Sequence, residues 1–235
     1  MMNETIRTHD DLLQMLDALL REPTAFWDGF YADRTKRIPF FVDKPDENLV
    51  RYVEQLEIPV NRVLELGSGP GRNALYLAEH GSQVDAIDLA QTSIDWANER
   101  ARERQLDISF RQGNLFELLF EQGAYDFVYD SGCFHHIAPH RRPDYIRVVS
   151  DALRPGGCFA LTCFVEGGQY GGSDMTDWDV YRQRSLNGDL GFTEEKLRSI
   201  FEPFEVLDIR LMQEAAPTDS VFGLSGLWTA LFRKK

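Results

Sequence analysis

Residues 62–72 read Arg-Val-Leu-Glu-Leu-Gly-Ser-Gly-Pro-Gly-Arg, a short apolar run that leads directly into three alternating glycines. Such a run predicts a buried strand, and glycines at positions 67, 69 and 71 allow a sharp turn that brings the backbone close to a ligand. Residues 84–88 form a second apolar run, which ends in the carboxylate of Asp88, about 20 residues after the first glycine. At that distance, nucleotide-binding α/β units place an acid against ribose hydroxyls. The sequence therefore predicts a strand–turn–helix–strand unit that binds a nucleotide.

The spacing of the glycines argues against a dinucleotide. The dinucleotide fingerprint Gly-x-Gly-x-x-Gly would place its third glycine at position 72, where it allows helix and strand to pack closely beside a pyrophosphate. Position 72 is instead Arg72, and the third glycine comes one residue earlier, at Gly71. NAD and FAD are therefore disfavoured as ligands.

The pattern Glu65-x-Gly67-x-Gly69-x-Gly71, followed by Asp88, resembles the first motif of class I S-adenosylmethionine-dependent methyltransferases. The resemblance extends over residues 60–233, where later motifs follow in the order typical of the family. One of these later motifs, at residues 125–137, looks like the version found in small-molecule methyltransferases related to ubiquinone-pathway, thiopurine and tellurite enzymes. The resemblance implies S-adenosylmethionine as the cofactor and methyl transfer to a small-molecule acceptor.

The resemblance also implies which residues bind the cofactor. The Asp88 carboxylate would accept hydrogen bonds from the ribose hydroxyls, Leu89 would pack on the adenine, and Asn114 would meet the adenine edge. Backbone groups near Gly67 and Asp130 would accept from the ammonium of the methionine end. The whole implied set is Glu65, Gly67, Ser68, Gly69, Gly71, Asp88, Leu89, Asn114, Leu115 and Asp130.

Three of these residues also have a plainer structural interpretation. Asp88 could be a solvated acid at the end of a strand, although the glycine turn at the right distance favours the ribose role. Asn114 follows a glycine and could simply form a turn. Glu65 could be a buried acid with a structural purpose only, rather than one that supports the glycine turn.

Residues 125–137 read Tyr-Asp-Phe-Val-Tyr-Asp-Ser-Gly-Cys-Phe-His-His-Ile and correspond to the family's fourth motif, beside the transferable methyl group. His135 and His136 are candidate general bases or substrate-orienting groups, because imidazole titrates near neutral pH. Neighbouring side chains rarely point the same way, so we expect one to face the acceptor, with a slight preference for His135. A base matters only if the acceptor holds a proton tightly; a thiolate or halide needs none. Cys133 has no second ligand pair at a recognisable spacing, so no metal is expected.

Two segments are predicted to cover the site and exclude water. One is the aromatic N-terminal stretch that contains Tyr31 and Phe40, and the other is residues 166–181, with four glycines and Trp178. We expect Tyr31, Phe40 and Trp178 to contact the substrate. Alternatively, the N-terminal aromatic residues could pack in the core, and residues 166–181 could form a mobile acidic loop.

The order of elements predicts one doubly wound α/β domain. Apolar strands alternate with amphipathic helices from residue 60 to residue 164, which indicates a parallel sheet with helices on both faces. By resemblance, strands at residues 204–212 and 227–233 complete a seven-stranded sheet in the order 3-2-1-4-5-7-6, with the last strand antiparallel. Residues 1–58 are predicted to form an N-terminal helical cap and lid, with helices at 8–21 and 46–56 and an irregular stretch between them. Residues 59–235 would then be the methyltransferase domain.

Composition limits the choice of partner. A chain of 235 residues with net charge −13 lacks the positive charge that binds phosphate backbones and anionic membranes, so neither nucleic acid nor membrane is expected as a partner. Mean hydropathy is −0.35, and no apolar run is long enough to span a bilayer. Three cysteines and a start without signal-peptide character favour a cytoplasmic protein. The oligomeric state cannot be inferred.

Two other classes of function stay open at this point. An NAD(P)-dependent oxidoreductase also uses a glycine turn and an acid, but Arg72 and the lack of a second catalytic domain disfavour it. A non-catalytic S-adenosylmethionine-binding protein is the other alternative, and the intact fourth motif disfavours it. Neither the acceptor nor its reacting atom can be inferred from the sequence.

Overall fold

A computed structural model describes residues 5–235, so the first four residues of the predicted cap lie outside the described residues. Its centre is one seven-stranded sheet in the order β3-β2-β1-β4-β5-β7-β6, which confirms the predicted order. The strands are β1 Arg62–Leu66, β2 Gln83–Asp88, β3 Ser109–Gln112, β4 Tyr125–Ser131, β5 Leu153–Phe164, β6 Phe204–Leu211 and β7 Leu227–Lys234.

The first five strands run parallel, and β7 runs antiparallel to both of its neighbours. Strand β1 lies in the middle of the parallel part, where Leu66 pairs with Ile87 of β2 and with Asp130 of β4. Because parallel strands end at the same edge, the glycine turn after β1, the Asp88 end of β2 and the turn after β4 meet there. The candidate functional site therefore lies at this edge of the sheet.

Eight helices cover the sheet in the part of the chain that is described. They are α1 His9–Asp17, α2 Pro23–Ala32, α3 Glu47–Glu54, α4 Arg72–Glu79, α5 Gln91–Glu103, α6 Arg142–Ala152, α7 Asp177–Gln183 and α8 Glu194–Ile200. Helix α1 begins with a capping box, in which the Thr8 hydroxyl accepts from the backbone N–H of Asp11 and the Asp11 carboxylate accepts from the backbone N–H of Thr8. Thr193 caps α8, because its hydroxyl accepts from the backbone N–H of Lys196.

The aromatic stretch between the two N-terminal helices is not irregular, as the sequence suggested. Residues 23–32 form helix α2, and α1 ends at Asp17 rather than at residue 21. The Glu22 carboxylate accepts from the backbone N–H groups of Thr24 and Ala25, and Pro23 occupies the first helical position. The Glu22 carboxylate satisfies two N–H groups of the first helical turn, and Pro23 has no N–H that needs a partner. These two features outweigh the weak helix propensity of the aromatic residues and of Gly29.

Strand β5 begins directly after α6. The helix ends at Ala152, and Pro155, Gly156 and Gly157 are already part of the strand. The pairing of β4 with β5 shifts register between Tyr125 and Phe127, which is how these residues are accommodated.

The predicted cap does not pack as one unit. Helix α3 packs into the main core, where Leu49 and Tyr52 are fully buried in the same cluster as Val63 of β1 and Leu77 of α4. Tyr31 and Phe41 form a separate aromatic cluster with Ala90 at the start of α5. Helix α2 and the turn that follows it are therefore the part of the cap that lies over the site.

Within residues 5–235, none of the helices combines the length and the apolar character that a membrane span requires.

Candidate functional site

The glycine turn after β1 has the left-handed backbone that its sequence predicts. Gly67, Gly69 and Gly71 all have positive φ, at 65°, 52° and 79°. A Cβ on Gly67 would lie 2.5 Å from the Cβ of Cys133, which belongs to the turn after β4. A Cβ on Gly71 would lie 2.9 Å from the Phe110 ring of β3. The glycines are thus required by their backbone conformation and by the close approach of side chains from the turn after β4 and from β3.

Asp88 holds this turn against the end of β2. One carboxylate oxygen accepts a hydrogen bond from the backbone N–H of Gly69 at 2.8 Å, and the other accepts from the N–H of Ala90 at 2.8 Å. The side chain is buried, and this burial raises the pKa of the Asp88 carboxyl although the two N–H donors oppose the shift. Each carboxylate oxygen has a second lone pair, so the group retains acceptor capacity for a diol.

Tyr31 of α2 brings the cap onto the turn. Its hydroxyl oxygen lies 3.1 Å from the position that a Cβ of Gly69 would take, and its side chain is buried. Burial, followed by the nearby Asp88 carboxylate, raises the pKa of Tyr31 well above its usual range, so the phenol stays protonated. The structure therefore brings this predicted substrate residue to the same point as Asp88 and Gly69.

Arg72, the residue that departs from the dinucleotide pattern, joins the turn to the segment before α3. Its guanidinium pairs with the buried Asp46 carboxylate and donates to the Lys44 carbonyl and the Ser131 hydroxyl. It also lies over the Phe222 ring. Sequence reasoning noted Arg72 only as a missing glycine and did not find this anchoring role; its partner is 26 positions away and belongs to no motif.

Asp46 is the centre of this buried polar network. Its carboxylate also accepts from the Tyr129 hydroxyl of β4 at 2.6 Å and from the Asn73 amide at 3.2 Å. The Asn73 side-chain oxygen in turn accepts from the Asp46 backbone N–H. The start of α4 is therefore fixed by hydrogen bonds to the chain before α3 and to β4.

Glu65 lies under the first turn of α4. It interacts with the Asn73 side chain and the Ala74 backbone, so it supports the helix that follows the glycines rather than the glycines themselves. Burial raises the pKa of Glu65 to about 8. Ser68, inside the turn, is buried too, and among the described residues its hydroxyl has no hydrogen-bond partner.

The turn after β3 lies beside Asp88, as the parallel sheet requires. The Asn114 side-chain oxygen accepts from the Phe116 N–H and its amide donates to Glu117, which is the turn role that the sequence left open. Leu115 is buried, and Leu89 is half-buried with its carbonyl accepting from Gln112. The adenine roles of these residues stay predictions.

Asp130, at the end of β4, shapes the turn that carries the histidines. One carboxylate oxygen accepts from the backbone N–H groups of Cys133 and Phe134, and the other accepts from the Tyr145 hydroxyl at 2.5 Å. Complete burial raises the pKa of Asp130 to about 6, against the effect of these donors. Its side chain thus acts within the protein, and the predicted role of its backbone toward a ligand stays a prediction.

The two histidines take different environments on this turn. The His135 ring stacks on Phe164 with 3.9 Å between ring centroids, and burial lowers its pKa well below the usual range. His136 is about one-fifth exposed, and its Nδ1 lies 2.7 Å from an Asp189 oxygen. Trp27 of the cap packs edge-on against the His136 ring. His135 is thus the packed ring and His136 the more exposed one, and which of the two faces the acceptor stays a prediction.

Of the remaining predicted contact residues, the structure brings only Phe40 close to Tyr31. Phe40 is half-buried, stacks on Phe30 and packs against the aromatic cluster that contains Tyr31. Trp178 of α7 is 75% exposed, so the structure does not place it with Tyr31. In the same helix, the Tyr181 hydroxyl accepts from the His140 backbone and ties α7 to the start of α6. Over the described part of the chain, no group of three or more His, Cys, Asp or Glu side chains is arranged to hold a metal ion.

Comparison with known proteins places this arrangement in a family. The profile of the "Methyltransferase domain" family matches residues 63–157. An uncharacterized methyltransferase of Schizosaccharomyces pombe is 37% identical over 124 residues, which cover 53% of this chain and 83% of that protein. The chain belongs to the class I S-adenosylmethionine-dependent methyltransferases, and S-adenosylmethionine is the cofactor of this class.

A further curated relative and a solved structure are also similar to this chain. The 2-heptyl-1-hydroxyquinolin-4(1H)-one methyltransferase of Mycobacteroides abscessus is 29% identical over 54% of this chain and 56% of that protein, so the chain spans about half the length of some curated relatives it matches. A solved structure from work on the conversion of a disulfide bond into a thioacetal group during echinomycin biosynthesis is 25% identical. It covers 91% of this chain and 92% of that chain, with a TM-score of 0.72.

The residues at the sheet edge fit this cofactor. A buried carboxylate with free acceptor capacity suits a ribose diol, and its hydrogen bond to Gly69 places it directly beside the glycine turn. The buried Ser68 hydroxyl, unpartnered within residues 5–235, is a further polar group in that turn. When bound, the cofactor supplies a sulfonium-activated methyl group.

Proposed function

We propose that this chain transfers the methyl group of S-adenosylmethionine to a small-molecule acceptor. The observation that carries the proposal is the contact of Tyr31 with Gly69, because it places a cap helix directly over the glycine turn. An acceptor must then fit between the cap and the sheet edge. Alignment of two reactants in a space closed to water supplies roughly 7–11 kcal/mol of barrier reduction.

Several other observations support a small acceptor. The net charge of −13 disfavours nucleic acids and anionic membranes as partners. The Mycobacteroides abscessus relative takes its name from a small hydroxyquinolinone. The cysteines Cys133, Cys158 and Cys163 are all unpaired, which favours a reducing compartment, and we propose a cytoplasmic location.

In this proposal Asp88 and the glycine turn hold the cofactor, with Asn114 and Leu115 at the adenine. Helix α2 covers the reacting groups through Tyr31 and Trp27. The turn after β4 supplies the polar groups, of which His136 is more exposed than His135.

The test uses cofactor labelled with tritium in the methyl group. The full chain is incubated with separate phenols, thiols, amines and carboxylic acids, and in parallel with total RNA and with denatured protein. We expect label in at least one small organic product and none in the polymers. Label in RNA or protein alone would contradict the proposal, as would cofactor binding without transfer to any class of acceptor.

A further inference from the structure

The turn after β4 and the loop before α8 meet at one pair of side chains. His136 Nδ1 lies 2.7 Å from Asp189 Oδ1, within the range of a charge-assisted contact, and both side chains are less than one-third exposed. No family motif in the sequence contains Asp189, which lies more than 50 positions after the histidine. The two residues therefore come into contact only when the chain folds.

The backbone around Asp189 is unusual and firmly held. Asn187, Gly188 and Asp189 all have positive φ, at 49°, 80° and 76°, and this conformation is uncommon for residues other than glycine. The Asp189 carbonyl accepts from the Ser173 N–H at 2.7 Å, and the N–H of Leu190 donates to the His135 carbonyl at 3.0 Å. The loop is thus hydrogen-bonded on one side to residues 166–181, through Ser173, and on the other side to the histidine turn, through His135. These bonds hold the Asp189 carboxylate against His136.

Helix α2 relates this pair to the cofactor turn. Trp27 and Tyr31 lie one helical turn apart on the same face, with 6.0 Å between ring centroids. Trp27 packs on His136 at 4.6 Å between ring centroids, while the Tyr31 hydroxyl lies against Gly69. One face of the cap helix therefore contacts both the glycine turn and His136.

The groups that face His136 are few. Asp189 faces it from the loop, His135 adjoins it on the same turn, and the Asp130 carboxylate lies close enough at the end of β4 to interact with its charge. Trp27, the residue from the cap, does not titrate. With a proton on Nδ1 toward Asp189, the ring nitrogen left to accept a proton is Nε2.

We propose that His136, positioned by Asp189, removes the proton of a hydroxyl acceptor, so that the acceptor class is a neutral phenol or enol rather than a preformed anion. This inference rests on the proposed methyl transfer. The acceptor O–H bond breaks, and its proton passes to His136 Nε2. An oxygen electron pair forms the bond to the methyl carbon, and the electrons of the carbon–sulfur bond stay on sulfur. His136 then releases the proton to solvent, and Asp189 stabilises the imidazolium in the interval.

The kinetic test compares two acceptors of the same shape, 4-methylphenol and 4-methylbenzenethiol, because the thiol is largely ionised near neutral pH and the phenol is not. His136→Gln and Asp189→Asn should lower kcat for the phenol by about 100-fold or more, with KM nearly unchanged, and leave thiol methylation intact. Asn favours the same left-handed backbone as Asp, so Asp189→Asn should fold. Both variants should regain rate as the pH approaches ionisation of the phenol itself.

Asp107→Asn makes the same change of charge at an exposed site after α5 and should change neither reaction. Equal loss of phenol and thiol methylation would overturn the proposal, since it would indicate a structural role. Unchanged phenol methylation in His136→Gln would also overturn it, as would a wild type that methylates the thiol but not the phenol. Loss in His135→Phe alone would assign the proton transfer to the other histidine.

A second measurement does not depend on turnover. Nitrogen-15 NMR of the imidazole groups, with His136 assigned by the signals absent from His136→Gln, should show the neutral His136 ring protonated on Nδ1. A ring protonated on Nε2 would overturn the proposal even if no acceptor were found. A wild type that neither binds S-adenosylmethionine nor methylates any probe, yet shows the Nδ1 proton, would instead contradict the proposed function.

Discussion

The carboxylate of Asp88 accepts a hydrogen bond from the backbone N–H of Gly69 at 2.8 Å, so the acid and the glycine turn are one structural unit. The acid ends β2 and the turn follows β1, and their contact depends on the parallel pairing of these two strands. A motif that is split over two segments of the sequence is therefore assembled by the sheet itself.

Gly67 should tolerate a methyl group less well than another glycine of similar backbone. Gly67→Ala places a Cβ 2.5 Å from Cys133, whereas Gly81→Ala meets nothing within 4 Å, and both residues have positive φ. We expect Gly81→Ala to lower the free energy of unfolding by about 1 kcal/mol through backbone strain alone, and Gly67→Ala by about 3 kcal/mol. Urea denaturation followed by circular dichroism measures both; equal losses would show that the close approach to Cys133 has no energetic weight.

Arg72 should contribute more to stability than an exposed arginine. Arg72→Met leaves the fully buried Asp46 carboxylate without its counter-charge and should cost about 3–5 kcal/mol. Arg198→Met breaks an exposed ion pair with Glu194 and should cost less than about 1 kcal/mol.

The double variant Arg72→Met with Asp46→Asn removes both charges, and its loss should be smaller than the sum of the two single losses. Thermal and urea unfolding of the four proteins give this coupling. Strict additivity would mean that the pair does not hold the start of α4 to the segment before α3.

Stability should fall as the pH rises toward 8 because of Glu65. Its pKa is raised to about 8 in the folded protein from an ordinary value of 4.5, so between these values the folded state holds a proton that the unfolded state has lost. The free energy of unfolding therefore decreases through this window, by at most about 1.4 kcal/mol per pH unit, and becomes independent of this group above it.

The measurement is urea unfolding between pH 6.5 and 9, a range above the raised pKa of Asp130. Glu65→Gln should flatten the decline, whereas Glu103→Gln, an exposed change on α5, should leave it as in the wild type. A wild-type curve that rises with pH over this range would contradict a protonated, buried Glu65.

The sheet and the glycine turn could be predicted from the sequence because their signals are local. Each parallel strand is a short apolar run, and the three glycines stand where the backbone must be left-handed. The strand order came from the family resemblance, since no local pattern states which strands pair. Helix α2 was missed because its aromatic residues and Gly29 suggest weak helix propensity; the Glu22–Pro23 start was the available signal.

The polar contacts around the site could not be predicted, because they join segments that are distant in sequence. Nothing near Asp46 indicates Arg72 as its partner, and nothing near His136 indicates Asp189. The Asn-Gly pair before Asp189 signals a turn, but not where the turn directs a carboxylate. The distinction between the two histidines likewise depends on Phe164 and on the cap, and both are distant in sequence from the histidines.

The most direct test of the account is isothermal titration calorimetry of S-adenosylhomocysteine, and of its 2′-deoxy analogue, into the wild type and Asp88→Ala. Asp95→Ala, an exposed change on α5, is the matched control. We expect the wild type and the control to bind alike and Asp88→Ala to lose about 100-fold in affinity, or about 3 kcal/mol. The wild type should bind the 2′-deoxy analogue more weakly than S-adenosylhomocysteine. Asp88→Ala should bind the two compounds with equal affinity. Unchanged affinity in a folded Asp88→Ala, or no binding by the wild type, would contradict the assignment of this sheet edge as the cofactor site.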